Sequence, residues 1–246
     1  HRRHEIKSYH ITHEGIDPVP VISPSGLSGN RYMSVFSAMT ISPDRTTLAI
    51  TSTRGQLAPQ RYPEYDVILL CRFDPTTGLV SDPLRITEGA YTAAFSPDNS
   101  RLYIAGNYPV PSLQQYDISN YNLPDIIGSR TYIDLMTPRF SSQYIRAYLR
   151  LYRDTIYLLA NIGDSSLSTI DMPNAAGRAC GYRTHSVPLL SGTSGYSTLP
   201  AEVVYPMPPD TVISPLSENH IICVSNGDTG SVTITAPPGY PDYVWE

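Results

Sequence analysis

An internal repeat constrains this chain more than any other feature. Met39-Thr40-Ile41-Ser42-Pro43-Asp44-Arg45-Thr46-Thr47-Leu48-Ala49-Ile50 aligns position for position with Ala93-Ala94-Phe95-Ser96-Pro97-Asp98-Asn99-Ser100-Arg101-Leu102-Tyr103-Ile104. A looser third copy runs from Tyr148 to Leu158 around Asp154, so the period is about 55 residues, in the range of repeat architectures. Each copy predicts a strand, a tight turn and a strand. Proline supplies φ near −65° at the turn, and the Asp carboxylate can accept the backbone N–H groups that follow. A third strand ends each time in an apolar or aromatic residue followed by Asp, at Phe73-Asp74, Tyr116-Asp117 and Ile170-Asp171. A fourth is clearest at Pro83 to Thr87, after the turn Thr76-Thr77-Gly78.

Four short strands per repeat predict an all-β chain of β-propeller blades. No helical period competes along this stretch. Tyr (19) far outnumbers Phe (4) and Trp (1), and 23 Pro with 16 Gly supply the turns that short strands need. Before the first full repeat, Ile6 to Ile11 followed by Gly15 and Pro18 matches strands three and four of a blade. This gives about three and a half blades up to Pro200. Propellers generally have at least four, so the expectation is part of a larger ring, with a ring closed by strands after Pro200 as the alternative. The remaining chain divides into a Pro-rich linker over 201–218 and, over 219–246, the incomplete start of an immunoglobulin-like sandwich. That last reading rests on Cys223, the Asn226-Gly227 turn, the alternating Ser231 to Ala236, and Trp245.

Composition narrows the chemistry. A net charge of −5 argues against a nucleic-acid partner, because the basic excess needed to displace counterions is missing. No stretch approaches the ~20 apolar residues that span a bilayer. Cys71, Cys180 and Cys223 show neither CxxC spacing nor an even count, so neither zinc nor a disulfide framework is expected, and Cys71 reads as a buried thiol. His1 and His4, like His10 and His13, are three apart, which in a strand sends the two rings to opposite faces, so no metal is assigned. Ser194, in Gly192-Thr193-Ser194-Gly195, lacks the context of a nucleophile elbow and reads as a turn serine. Asp74, Asp117 and Asp171 recur with the repeat, which fits turn caps and strand ties better than a catalytic base. No catalytic residue and no cofactor is assigned.

Binding surface is the richer signal. In a propeller, the loops joining strands two to three, and strand four to the next strand one, emerge at one face. They hold Arg54, Arg61, Tyr62 and Tyr65, then Tyr108, and, before the first repeat, Arg31 and Tyr32. Tyr and Arg offer large contact area with a polar end, and are enriched at recognition hot spots.

The blades with Phe95-Ser96-Pro97-Asp98 and Leu113-Gln114-Gln115-Tyr116-Asp117, the segment Pro173-Asn174-Ala175-Ala176-Gly177-Arg178-Ala179-Cys180-Gly181-Tyr182, and Tyr196 to Pro200 together resemble the WD40-like propellers of Bacteroidetes surface proteins. Those are similar to gliding-motility-associated, type IX-secreted polypeptides, in which a propeller precedes immunoglobulin-like or PKD-like repeats. The resemblance covers about residues 4–245 and implies an exported, cell-surface or extracellular protein, with no catalytic residues to carry over. The resulting expectation is a non-enzymatic scaffold or adhesion module that binds a protein or glycan through its loop face. The alternative is a propeller hydrolase or lyase, or a propeller gating a peptidase that lies outside this chain.

Overall fold

In the computed structural model the described residues are 5–13, 15–26, 36–53, 67–86, 90–106, 112–135, 147–160, 163–195 and 199. The chain divides into two compact units, His1–Ala201 and Glu202–Glu246. The expected linker and immunoglobulin-like start, Cys223 included, lie outside the described residues.

The first unit contains three four-stranded antiparallel sheets, each a meander in chain order. The first blade is β5 (Phe36–Ile41), β6 (Thr47–Thr53), β7 (Val67–Phe73) and β8 (Val80–Ile86). The second is β9 (Thr92–Phe95), β10 (Arg101–Gly106), β11 (Ser112–Asp117) and β12 (Thr131–Leu135). The third is β13 (Tyr148–Tyr152), β14 (Thr155–Leu159), β15 (Ser166–Ile170) and β16 (Tyr182–Pro188). Before them runs a long hairpin: β1 (Glu5–Ser8) pairs with β4 (Val21–Pro24), while β2 (Ile11–Thr12) pairs with β3 (Gly15–Ile16) near its tip. This is the expected half-blade.

β5 packs beside β9, and β9 beside β13, so the first strands share one side of the array and the fourth strands the opposite side. Alternation in each strand then feeds two neighbouring blades at once. On β9, Ala93 and Phe95 join a cluster with Ala49, Ile68, Leu70 and Ile86 of the first blade. Ala94, between them, belongs to the cluster with Leu149, Ile156 and Leu158 of the third. Such serial face-to-face burial defines propeller blades, and Cys71 is buried inside it as the sequence predicts.

The repeated turn is built as expected. In the first copy Asp44 Oδ1 accepts from Thr46 N (3.0 Å) and from the Ser42 hydroxyl (2.5 Å), whose Oγ accepts in turn from Thr47 N (2.9 Å). In the second copy Ser96, Asp98, Ser100 and Arg101 reproduce this arrangement. The left-handed position falls on Arg45 (φ 61°) and Asn99 (φ 63°). The third copy, lacking Ser-Pro, closes more tightly, with Tyr152 opposite Thr155 and Arg153 at φ 53°.

Two departures from the sequence reading have local causes. A six-residue helix, α1 (Leu123–Gly128), interrupts the third-to-fourth connection of the second blade. It starts at an Asn122 cap that accepts from Asp125 N (3.3 Å), and is too short to show a period. In addition, the three recurring Asp residues do not occupy one position. Phe73 N bonds Thr46 O, and Ile118 N bonds Ser100 O, so Phe73 and Ile118 are the equivalents. Asp117 and Asp171 share a slot, whereas Asp74 lies two places further on, in the turn itself.

Every blade also has a register irregularity between strands three and four, at Leu70/Arg72, Leu113/Gln114 and Leu167/Thr169. Bulges of this kind increase twist and make an outer edge a poor template for further pairing.

Candidate functional site

Antiparallel order sends the first-to-second and third-to-fourth connections to one end of the blades, and the other connections to the opposite end. At the first end the polar residues are engaged within the fold. Asp74 accepts from Thr76 N (2.9 Å) and the Thr77 hydroxyl (2.7 Å), and the Thr77 bond is the main cause holding its carboxyl below the usual range. Asp117 pairs with Arg101 and accepts from Ser119 N (3.0 Å), while Asp171 pairs with Arg183 (2.5 Å). Partial burial pushes the carboxyls of Asp44, Asp98 and Asp117 up, but the turn hydroxyls and N–H groups, with a nearby arginine, bring each below its ordinary value. The three recurring aspartates are thus turn caps and strand ties.

This end also joins blade to blade. The Asn99 side chain accepts from Asp44 N (3.1 Å), and that of Asn174 from Asp98 N (3.3 Å). Each third-to-fourth connection, or the start of the fourth strand it leads into, reaches back onto the preceding blade. Val80 N donates to Ser23 Oγ of the half-blade (2.9 Å). Tyr121 donates towards Leu70 O and Asp82 O, both at 2.9 Å, beneath the Arg72 guanidinium stacked 3.9 Å from its ring. Burial pushes the phenol up. The third connection carries the Pro173 to Cys180 segment, whose backbone meets Tyr103 and Gln115. Tyr103 Oη donates to Pro173 O (2.8 Å) and accepts from Gln115 Nε2 (2.5 Å). Gln115 Nε2 lies 2.8 Å from Ala175 O, and its Oε1 accepts from Gly177 N (2.7 Å).

The recognition candidates Arg31, Tyr32, Arg54, Arg61, Tyr62, Tyr65 and Tyr108, which the sequence reading assigns to the opposite end, all lie outside the described residues. What is described at that end is the strand platform. Tyr116 Oη donates to Gln114 Oε1 (3.1 Å), and Gln114 Nε2 to Ser112 Oγ (2.9 Å), a buried polar line leading along β11 to the 107–111 connection. Thr51 Oγ1 donates to Tyr91 O (3.2 Å), tying β6 to the start of the second blade, with Ser52 and Thr92 buried alongside. These residues were not singled out from sequence. On β11 the available signal was a residue with a polar end at every second position, Ser112, Gln114 and Tyr116.

Other candidate chemistry resolves into local structure. His10 and His13 are exposed on the N-terminal hairpin, while His1 and His4 lie outside the described residues. Among the described residues no group of three or more His, Cys, Asp or Glu could hold a metal ion. Ser194 is exposed beside the turn in which Thr193 N bonds Leu190 O. Ser166 Oγ lies 2.8 Å from His185 Nδ1, but this pair sits on the outer strands, where it steadies His185 at φ 51° in the bulge. Desolvation pushes the Cys71 thiol up to about 12, leaving it protonated and unreactive at neutral pH. No helix among the described residues is long and apolar enough to cross a membrane.

The sheets and their serial packing define the class, a chain of β-propeller blades. No family model and no curated protein matches the sequence. Among solved structures, a mutant of puromycin hydrolase in complex with PGG is 16% identical with a TM-score of 0.41, covering 67% of this chain and 23% of that one. Kuenenia stuttgartiensis hydrazine synthase is 13% identical with a TM-score of 0.25, covering 58% and 48%. The chain therefore spans less than half the length of either, and likenesses this low leave the fold to rest on the sheets themselves.

Proposed function

We propose that the chain is the blade-bearing part of a non-enzymatic, exported surface protein that binds a protein or glycan partner through the end carrying the second-to-third connections. The observation that carries this reading is a division of labour between the two ends of the blades. At one end the repeated Ser, Asp and Asn residues are engaged within and between blades. For the other, the sequence alone supplies Arg and Tyr that do not recur with the repeat, on connections as long as 54–66. Non-repeating side chains on a repeated scaffold are where specificity can vary without cost to the fold. Export to the cell surface rests on the resemblance to type IX-secreted propellers.

The test is a glycan array and a surface pull-down comparing the parent chain with Arg61→Ala plus Tyr62→Ala. Loss of a ligand at unchanged melting temperature supports the reading. Retained binding removes this connection from the interface, and covalent labelling by a serine-hydrolase probe would overturn the non-enzymatic reading itself.

A further inference from the structure

The chain contains three Asp-Pro bonds, Asp17-Pro18, Asp74-Pro75 and Asp82-Pro83. Such a bond is labile in mild acid, because the aspartate carboxylate can close a five-membered ring on its own carbonyl carbon and the proline nitrogen of a tertiary amide is a good leaving group. The fold treats the three differently. Asp17 Oδ1 accepts from Val19 N (2.9 Å), and no donor reaches the Asp17 carbonyl among the described residues. At Asp74 both carboxylate oxygens are held in the turn, Oδ1 by Thr76 N and Oδ2 by the Thr77 hydroxyl. That carboxylate must give up a turn bond before it can attack.

Asp82 is set up in the opposite way. Leu70 pairs with Leu84 and Arg72 with Ser81, so Asp82 and Pro83 together stand opposite Cys71 in a bulge. Asp82 takes φ 48° there, a left-handed conformation that a following proline disfavours. Its carbonyl oxygen lies 2.9 Å from Tyr121 Oη, whose proton it shares with Leu70 O at the same distance. Burial keeps that phenol protonated, and the Arg72 guanidinium stacked on its ring adds a positive field. The Ser81 hydroxyl donates to Asp82 Oδ2 (3.0 Å), and Oδ1 takes no hydrogen bond among the described residues. Asp82 and Pro83 are both exposed on the fourth strand of the blade, within reach of water.

We propose that Asp82-Pro83 is a self-cleavage site of the folded chain, with Asp82 as internal nucleophile and Tyr121 as the donor that stabilises the oxyanion. Asp82 Oδ1 bonds to the Asp82 carbonyl carbon, and the carbonyl π pair moves onto the oxygen held by Tyr121. As the carbonyl re-forms, the C–N bond breaks and its electron pair leaves on the Pro83 nitrogen, which takes a proton from solvent. One water then adds to the cyclic anhydride, leaving Asp82 with two carboxylates and Pro83 as a new N-terminus. The nick leaves the sheet paired: Val80 and Ser81 stay with Phe73 and Arg72, and Leu84, Arg85 and Ile86 with Leu70, Leu69 and Ile68. The new α-carboxylate forms at the Tyr121 hydroxyl, near the Arg72 cation.

The test incubates the full, folded chain in mildly acidic buffer and follows all three bonds by mass spectrometry. Asp82-Pro83 should cleave about tenfold faster than Asp17-Pro18 and Asp74-Pro75, giving fragments that co-elute in gel filtration until urea is added. In urea, where Tyr121 is no longer positioned, the three bonds should cleave at comparable, slow rates. Tyr121→Phe, assayed where circular dichroism shows it folded, should slow cleavage at Asp82 about tenfold. Asp82→Glu keeps the charge but must close a six-membered ring, and should abolish cleavage there. Equal rates at the three bonds of the folded parent chain overturn the proposal, as does cleavage at Asp82-Pro83 that is faster in urea. A folded Tyr121→Phe chain that keeps the parent rate overturns it too.

Discussion

The interface between the first and second blades and the one between the second and third are built at the same repeat positions from opposite chemistry. In the first blade, Ala49 on β6 pairs with Leu70 on β7, and both are buried in an apolar cluster with Ala93, Phe95, Leu102 and Ile104. One blade on, the pair is Tyr103 on β10 and Gln115 on β11, which bond the backbone of Pro173, Ala175 and Gly177. An apolar interface depends on filled volume and tolerates rearrangement, whereas a buried polar one depends on every donor and acceptor finding its partner. The repeat therefore specifies where blades touch and leaves open what holds them together.

The largest effect should come from the apolar side. Leu70→Ala should cost about 2–5 kcal/mol in urea unfolding followed by circular dichroism, because a fully buried side chain leaves a cavity at a packed interface. Next, Tyr103→Phe should cost about 1–3 kcal/mol, since Pro173 O and one Gln115 N–H lose their partner away from water. If Tyr103→Phe proves neutral, the contrast between the interfaces fails. Its sharper form is a cycle with Gln115→Leu, in which the double variant should be less damaging than the sum of the two singles.

Tyr121→Phe should cost less, about 1 kcal/mol, because the carbonyls of Leu70 and Asp82 lie at a partly solvated rim where water can replace the phenol. Hydrogen exchange should show the loss confined to the boundary between the first two blades. The smallest effect should be on acid stability. Folded Asp44, Asp98 and Asp117 have pKa values below the usual 3.8, so their contribution is fully present above that value and is lost as pH falls through the lower folded value. Asp98→Asn should lower neutral stability slightly and flatten the decline below about pH 4, because the variant lacks the contribution that acid removes from the parent. A fall in stability between pH 5 and 8 would place the titration elsewhere.

Much of the fold was legible because it is local. Alternating apolar residues and the Ser-Pro-Asp turn act over a few residues, so β5, β6, β7, β9 and β10 fall where the repeat predicts them. Asp44 and Asp98 cap the turns they were assigned to. The errors mark where locality ends. Asp74 and Asp117 look equivalent in sequence, but β11 ends at Asp117, opposite Arg101, whereas β7 runs through Phe73 before Asp74 turns the chain. The recognition candidates were legible only as residue types on connections, because no short-range rule sets the course of a long loop.

By itself the sequence determined where the repeats fall, their strand order and their turn chemistry, since these follow from side-chain alternation and hydrogen bonds that each repeat makes within itself. Only the tertiary structure decided that the Pro173 to Cys180 segment is a clasp on Tyr103 and Gln115, and that Met39 and Ile41 lie open while Ala93 and Phe95 do not. These outcomes depend on which surface the neighbouring blade presents, and a repeat encodes its own alternation without encoding its neighbour.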